Sequence, residues 1–463
     1  MNGIISFKYL LPLVSLTIYL LFFSIHLNNN EIIGFVIFGY ILLRLIYNSG
    51  KEIPIKEILL VLLILQYFVA PSVVYNKFNN DVGDFGYEMK VDKEFYFSFL
   101  INSIIAISVG LYFPIFKTNI KTTELFNKIN NLKDNFKIGI LLLGIGFISH
   151  IFIPFFPSTF AFLAIFLTNL KYVGIFFIYF SNNPYRIVYI FLVLSYLVLN
   201  IISGGVFIDL FIWGLFIASY FILNKKISTA IKIAFLVFGA FTALLIQSIK
   251  ADYRKEIWDD DNNEELNEEQ VFINLTSAKL ENASTIFEED NLKSFYSRIN
   301  QGWILSNVLE HVPKYQDFSN GEIFWRELQG IILPRIIAPN KITASGKDAK
   351  DKFIKYTGRL LHGNTTMNIG LIADGYINFG QIGCWIYLFF IGLFLNYVLY
   401  KINELCKNYP TLIFFIPILF FYVLRTGNDF YMIMNYLVKS SMLLAVFIYL
   451  FKQIFYKPEI EKN

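Results

Sequence analysis

The chain has 463 residues, of which 56% are hydrophobic, 18% aromatic and only 16% charged, with a formal net charge of +4. Soluble domains are about a quarter charged, so this balance excludes a soluble enzyme, a disordered chain and a collagen-like fibre. Two cysteines, Cys384 and Cys406, are too few for a disulfide scaffold or a thiolate metal site. Richness in Ile, Phe, Asn and Lys fits an AT-rich coding bias and a low-GC bacterium.

A membrane-crossing helix needs roughly 20 mainly apolar residues to traverse about 30 Å of hydrocarbon. Such runs fall at about 9–27, 31–47, 57–76, 95–116, 138–156, 159–180, 187–203, 206–223, 231–249, 379–400, 410–425 and 432–451. The runs are continuous rather than alternating, so helices are expected and not a barrel. The predicted fold is an all-α polytopic membrane protein of about 12 transmembrane helices, with a range of 11–13. The weakest span is 159–180, where Lys171 sits inside and Pro154 and Pro157 precede it. The first span lacks a small-residue cleavage site and reads as a retained anchor.

With the N-terminus in the cytoplasm, alternation puts 17 basic residues in the inner loops and tails, from Lys8 and Lys51 to Lys457 and Lys462. The short outer loops hold Lys77, Lys90 and Lys93, outweighed by Asp81, Asp84, Glu88, Asp92 and Glu94. This is the positive-inside pattern. It predicts a multi-pass protein of the bacterial inner membrane with both termini cytoplasmic. Residues 1–249 form an N-terminal bundle, 250–378 a large periplasmic or extracellular loop, and 379–463 the last spans and a cytoplasmic tail.

The loop has two halves. Residues 256–290 carry twelve acids against Lys279 alone and read as a solvated insertion. Residues 291–363 carry 11 Lys or Arg against six acids, together with His311 and His362. Trp303, Ile304, Val308 and His311 repeat at helical spacing, and Ile323, Glu327 and Ile331 share a face that ends at Pro334. Short amphipathic helices on the outer membrane face are expected, able to cover a cavity. A basic, partly apolar surface at that level suits a lipid-linked pyrophosphate, because arginine binds phosphate oxygens through two donors. The candidates are Arg298, Arg335 and Arg359, helped by Lys341 and Lys355. Arg326 reads as a helix salt-bridge partner of Glu322.

Ionisable residues inside spans are costly and so are functional candidates. His150, Asp209, Arg425 and Lys439 fall in the outer half of their spans. Arg44 and Lys171 lie toward the cytoplasmic side, where they can snorkel, and receive no role.

Residues 321–383 contain LPR and APNK, a variable stretch, then GLIADGYINFG entering a span. This arrangement resembles the Wzy-type O-antigen and oligosaccharide repeat-unit polymerases. The tail of the pattern falls on Asp374, Tyr376, Asn378, Phe379 and Gly380, with Gly383 following. The many spans and the large loop in the second half match in architecture. The resemblance implies a metal-independent membrane glycosyltransferase with no cofactor. It would build O-antigen, capsule or exopolysaccharide from undecaprenyl-pyrophosphate-linked repeat units outside the cytoplasm. Its partners would be that lipid-linked oligosaccharide, membrane lipid, a flippase and a chain-length regulator, with no nucleic acid. A sugar hydroxyl attacks the anomeric carbon of the donor, and lipid pyrophosphate leaves. Cations should stabilise the leaving group: Arg298, Arg335, Arg359, Arg425 and Lys439. A base should take the hydroxyl proton: His362, Asp374, His311, Glu327 or Glu322. His150, Asp209, Tyr376 and Asn378 are further candidates. An O-antigen ligase would use the same donor. A flippase or transporter would have short loops and two similar halves, and neither feature is visible.

Overall fold

The computed structural model describes residues 27–451, apart from 79–86, 117–121, 131–133, 157–160, 205–207, 259–267, 334–340, 344–345 and 364. The first expected span up to residue 26, the acidic stretch 259–267 and Arg335 lie outside the described residues. What is described is helical, and no β-strand forms among these residues.

Helices α1 (Asn29–Asn48), α2 (Ile55–Phe78), α3 (Lys93–Tyr112), α4 (Thr122–Asn130), α5 (Asn135–Phe152), α6 (Ala161–Tyr179), α7 (Arg186–Gly204), α8 (Ile208–Phe221) and α9 (Thr229–Trp258) precede the hydrophilic region. That region holds α10 (Glu268–Glu281), α11 (Glu289–Ile299), α12 (Gly302–His311), α13 (Glu322–Ile332) and α14 (Lys347–Thr357). Three helices close the chain: α15 (Leu371–Cys406), α16 (Ile416–Leu424) and α17 (Phe430–Leu450). Eight of the described helices are long and apolar enough to cross a membrane, and three further apolar helices are shorter.

Local chemistry explains where these helices start and bend. Asn28 and Glu31 form a reciprocal cap at the start of α1, with bonds of 2.8 and 2.9 Å. The fully buried Glu31 also meets Lys93 at 2.6 Å and accepts from Ser72 at 2.6 Å, which ties α1, α2 and α3 together. In α2, Pro71 has no N–H to give the carbonyl of Tyr67. That oxygen accepts from the Tyr96 hydroxyl at 2.7 Å instead, and π-helical turns flank the proline. Helices α3 and α15 approach backbone to backbone at Gly110 and Gly392: a Cβ on Gly110 would lie 2.1 Å from the Phe389 carbonyl. Small residues permit this close approach between helices in a bundle.

The tenth expected span, 379–400, begins earlier than the apolar run suggests. The polar GLIADGYINF segment is itself helical from Leu371, and Gly380, at φ 66°, breaks the helix there. Only glycine adopts that angle without strain. The hydrophilic region is also packed rather than tethered. Trp303, Ile304, Leu305 and Val308 of α12, with Phe353 and Tyr356 of α14, lie in the same core as α2, α3 and α15. Each such side chain contributes about 1.5–3 kcal/mol on burial, so these helices hold a fixed position over one end of the bundle.

Candidate active site

Four elements converge at that end. Glu327 lies on the inward face of α13, with Ile331 one turn on. Lys352 lies on α14 in the stripe Ala349, Phe353, Tyr356 that faces the core. Asp374 comes from the first turn of α15, and Asp429 is the N-cap of α17, its Oδ1 accepting from the Met432 N–H at 3.1 Å. Lys352 Nζ stands between the three acids, 2.6 Å from Glu327 Oε1, 2.7 Å from Asp374 Oδ1 and 3.1 Å from Asp429 Oδ2. Asp374 Oδ2 accepts the Phe430 N–H at 3.1 Å, so one carboxylate serves both the lysine and a helix start.

Three carboxylates and one ammonium leave an excess of negative charge in a site where the Lys352 side chain is 10% exposed and Glu327 is 3% exposed. Burial, and then the Asp374 carboxylate, hold the Glu327 carboxyl well above its ordinary range near 4.5, against the pull of Lys352. Burial alone would lower the Lys352 ammonium, but the three carboxylates outweigh it and raise its pKa. The excess charge therefore belongs to the cluster as a whole, and a proton taken up there is shared among its carboxyls. Glu327 Oε2 is buried without a hydrogen-bond partner.

The cluster forms part of the wall of a cavity of about 750 Å³, within the range of small-molecule sites. Trp325, Arg326, Lys355 and Tyr431 also line it, with Glu322, Asp348 and Asp351. The walls are pinned from outside. Asn378 Oδ1 accepts from Ser319 Oγ at 2.7 Å and from the Phe324 N–H at 3.0 Å, fixing the start of α13 on α15. Tyr376 donates to the Val312 carbonyl at 3.1 Å. Lys341 Nζ donates to the Gly330 and Leu333 carbonyls at 2.8 and 3.0 Å, closing the end of α13. The Tyr431 hydroxyl donates to the Ile342 carbonyl at 2.8 Å.

Of the residues singled out from sequence, Glu327 and Asp374 meet in the cluster, Asn378 and Tyr376 support it, and Lys355 lines the cavity. The two histidines stand apart from it. His311 packs its ring against Tyr315 at 5.4 Å and against Gly358, and His362 is exposed on a turn. Arg359 donates from Nε to the buried Asn307 at 2.9 Å, and Arg298 ends α11 half-buried; neither lines the cavity. Arg425 is paired with Asp209 and lies over the rings of Phe421 and Tyr422. Lys439 lies 5.4 Å from the Phe162 ring centre, and His150 meets Tyr196 edge to face at 5.7 Å.

Two expectations are corrected. Arg326 makes no ion pair with Glu322; both are exposed and point along the cavity wall, since α13 turns this polar face away from the core. Lys171 does not snorkel. It is 1% exposed, with Nζ 4.9, 5.2 and 5.9 Å from the ring centres of Tyr196, Tyr172 and Phe147. The rings supply cation–π attraction where no water reaches.

Sequence reasoning missed Lys352 and Asp429. Lys352 is one of four lysines between 347 and 355, but only it falls in phase with Ala349, Phe353 and Tyr356. Asp429 precedes the apolar run of α17 at the position of a helix cap.

These observations define an all-α protein with multiple membrane-length helices and a buried lysine–carboxylate cluster beside a polar cavity. The chain belongs to the family DUF8712, a domain of unknown function, whose model matches residues 94–457. No curated protein and no solved structure matches it.

Proposed function

We propose that the chain is a membrane glycosyltransferase that polymerises lipid-linked oligosaccharide repeat units, with the Glu327 cluster as its acid–base centre. In this reading the bundle has twelve spans with both ends in the cytoplasm, and the cavity faces outward. The observation that carries the chemistry is the Glu327 carboxyl at the wall of a cavity large enough for sugars, with Oε1 on Lys352 and Oε2 buried without a partner among the described residues. A carboxylate with a raised pKa is a stronger base near neutral pH than an ordinary one. It accepts the proton of the acceptor hydroxyl as that oxygen bonds to the anomeric carbon. The bond from that carbon to the diphosphate oxygen breaks, and the electron pair leaves with the diphosphate. Arg326 and Lys355, exposed on the cavity wall and without an ion pair among the described residues, are the cations available to the leaving group. Lys352 keeps Glu327 in place and limits how far its pKa rises.

The test is purified protein in lipid with defined polyprenyl-diphosphate-linked repeat units, read as a ladder of chain lengths. Glu327→Gln should insert and fold normally yet lose at least about 100-fold in rate. An unchanged ladder in that variant would remove the proposed base.

A further inference from the structure

The cavity has a charge pattern that bears on which sugars it accepts. Among the described residues, five carboxylates line it, those of Glu322, Glu327, Asp348, Asp351 and Asp429, against Arg326, Lys352 and Lys355. The deepest cation is already committed. Lys352 meets Glu327, Asp374 and Asp429, all within 3.1 Å, and its side chain is 10% exposed. Among the described residues, a carboxylate brought in by a ligand would find no uncommitted cation at that depth and would face the Glu327 and Asp429 carboxylates. Hydroxyls and amines would find acceptors there instead. Asp348 is satisfied by Thr343, its Oδ2 accepting from the Thr343 N–H at 2.7 Å, whereas Asp351 is exposed on the same wall. Trp325, 60% exposed, and Tyr431 add aromatic faces to the lining. These suit the apolar side of a sugar ring and attract an ammonium group.

We infer that the cavity takes neutral or amine-bearing sugar units and disfavours those that carry a carboxylate, such as uronic acids. The inference rests on the glycan reading above and narrows its substrate class. Arg326 and Lys355 can still hold a phosphate, because they are exposed on the wall rather than locked in the cluster. The discrimination comes from low-dielectric walls that focus the field of like charges. At separations of several ångströms beside a wet cavity, that repulsion amounts to about threefold to tenfold in affinity.

The experiment uses the full chain, purified in detergent, and three soluble probes: chitotriose, its tri-N-acetyl derivative and trigalacturonate. At mildly acidic pH the chitotriose amines are charged and the galacturonate carboxylates ionised. Binding should follow the order chitotriose, tri-N-acetylchitotriose, trigalacturonate, with the last at least threefold weaker than the neutral probe. The double variant Glu322→Gln, Asp351→Asn should shrink that gap, and so should added salt. These two side chains are exposed, so the variant is expected to fold. Trigalacturonate binding as tightly as the neutral probe would overturn the charge selection and leave the glycan reading standing. Failure of all three probes to bind would overturn both. Discrimination unchanged in the double variant would place it away from this cavity and overturn the inference.

Discussion

Among the described lysines, Lys171 and Lys352 are set deep in the protein, and their surroundings are opposite. Lys352, at the end of the bundle, is held by three carboxylates within 3.1 Å. Lys171, inside α6, has three aromatic rings around its ammonium and no carboxylate ion pair. The first site has more negative charge than its cation neutralises, so it stores a proton and can give or take one. The second has a single ammonium among ring faces, with no carboxylate among the described residues to share its charge. The contrast separates a cation shared by several acids from a charge faced by rings, although neither side chain is more than 10% exposed.

Removing the cation from the first site should produce the largest effect. Lys352→Met leaves three carboxylates crowded together without a counter-charge. Breaking a buried ion pair by deleting one partner costs about 3–5 kcal/mol, and two further acids share the loss here. Thermal unfolding of the purified protein should show a drop of many degrees, or the variant should fail to accumulate. A melting temperature close to that of the native chain would mean that the acids pick up protons at no cost.

The next prediction concerns pH. Glu327 has a raised pKa in the folded protein, so the native state binds its proton more tightly than the unfolded chain does. Below about 4.5, the ordinary value for glutamate, both states are protonated and nothing is lost. As pH rises from there through the raised folded value, stability falls, by about 1.4 kcal/mol for each unit of the shift. Glu327→Gln removes this titration. Its stability should stay flatter than the native protein's across the same window, as measured by melting at a series of pH values. Parallel pH profiles for the two proteins would show that Glu327 is not the proton holder.

The apolar runs made most of the helices legible from sequence alone, because a lipid-spanning helix leaves a long continuous mark. Pro71 and Gly380 leave a weaker mark: that Tyr96 supplies the hydrogen bond Pro71 cannot, and that the helix breaks at Gly380, depend on how the helices meet. At the site, Glu327 and Asp374 stood out as acids in an otherwise apolar or patterned stretch. Lys352 was hidden by its neighbours, since composition sees four lysines and only helical phase distinguishes the buried one. The pairing of residues 327, 352, 374 and 429 depends on how four helices dock, which no local pattern encodes. The same limit applies to Lys171: from sequence it reads as a snorkelling lysine, because the rings that enclose it come from α5, α6 and α7.

A third charged site, an ion pair, falls between the two lysines in character. Arg425 and Asp209 join α8 to the end of α16, with side chains 25% and 28% exposed. Each charge has one partner, so the pair is balanced, and partial exposure weakens it. A double-mutant cycle with Asp209→Asn and Arg425→Gln should give a coupling of about 1 kcal/mol by denaturant unfolding in micelles. A value near that expected for Lys352 would mean that the pair is shielded far more than its exposure indicates.

The smallest effect is expected at Lys171, and it is the sharpest check on the contrast. Replacing the lysine with methionine keeps the length and removes the charge. The ring contacts of an ammonium contribute roughly 0.5–2 kcal/mol, and a charge held inside a membrane bundle costs a comparable amount or more. The two nearly cancel, so Lys171→Met should melt within about a degree of the native protein or above it. The backbone of Lys171 packs on Gly146, where a Cβ would lie 2.5 Å from the Lys171 nitrogen, and that contact is the same in the variant. Any change therefore reports the ammonium alone. A loss of stability as large as that of Lys352→Met would show that Lys171 is bound to an anion in the working protein, and the distinction between the two lysines would disappear.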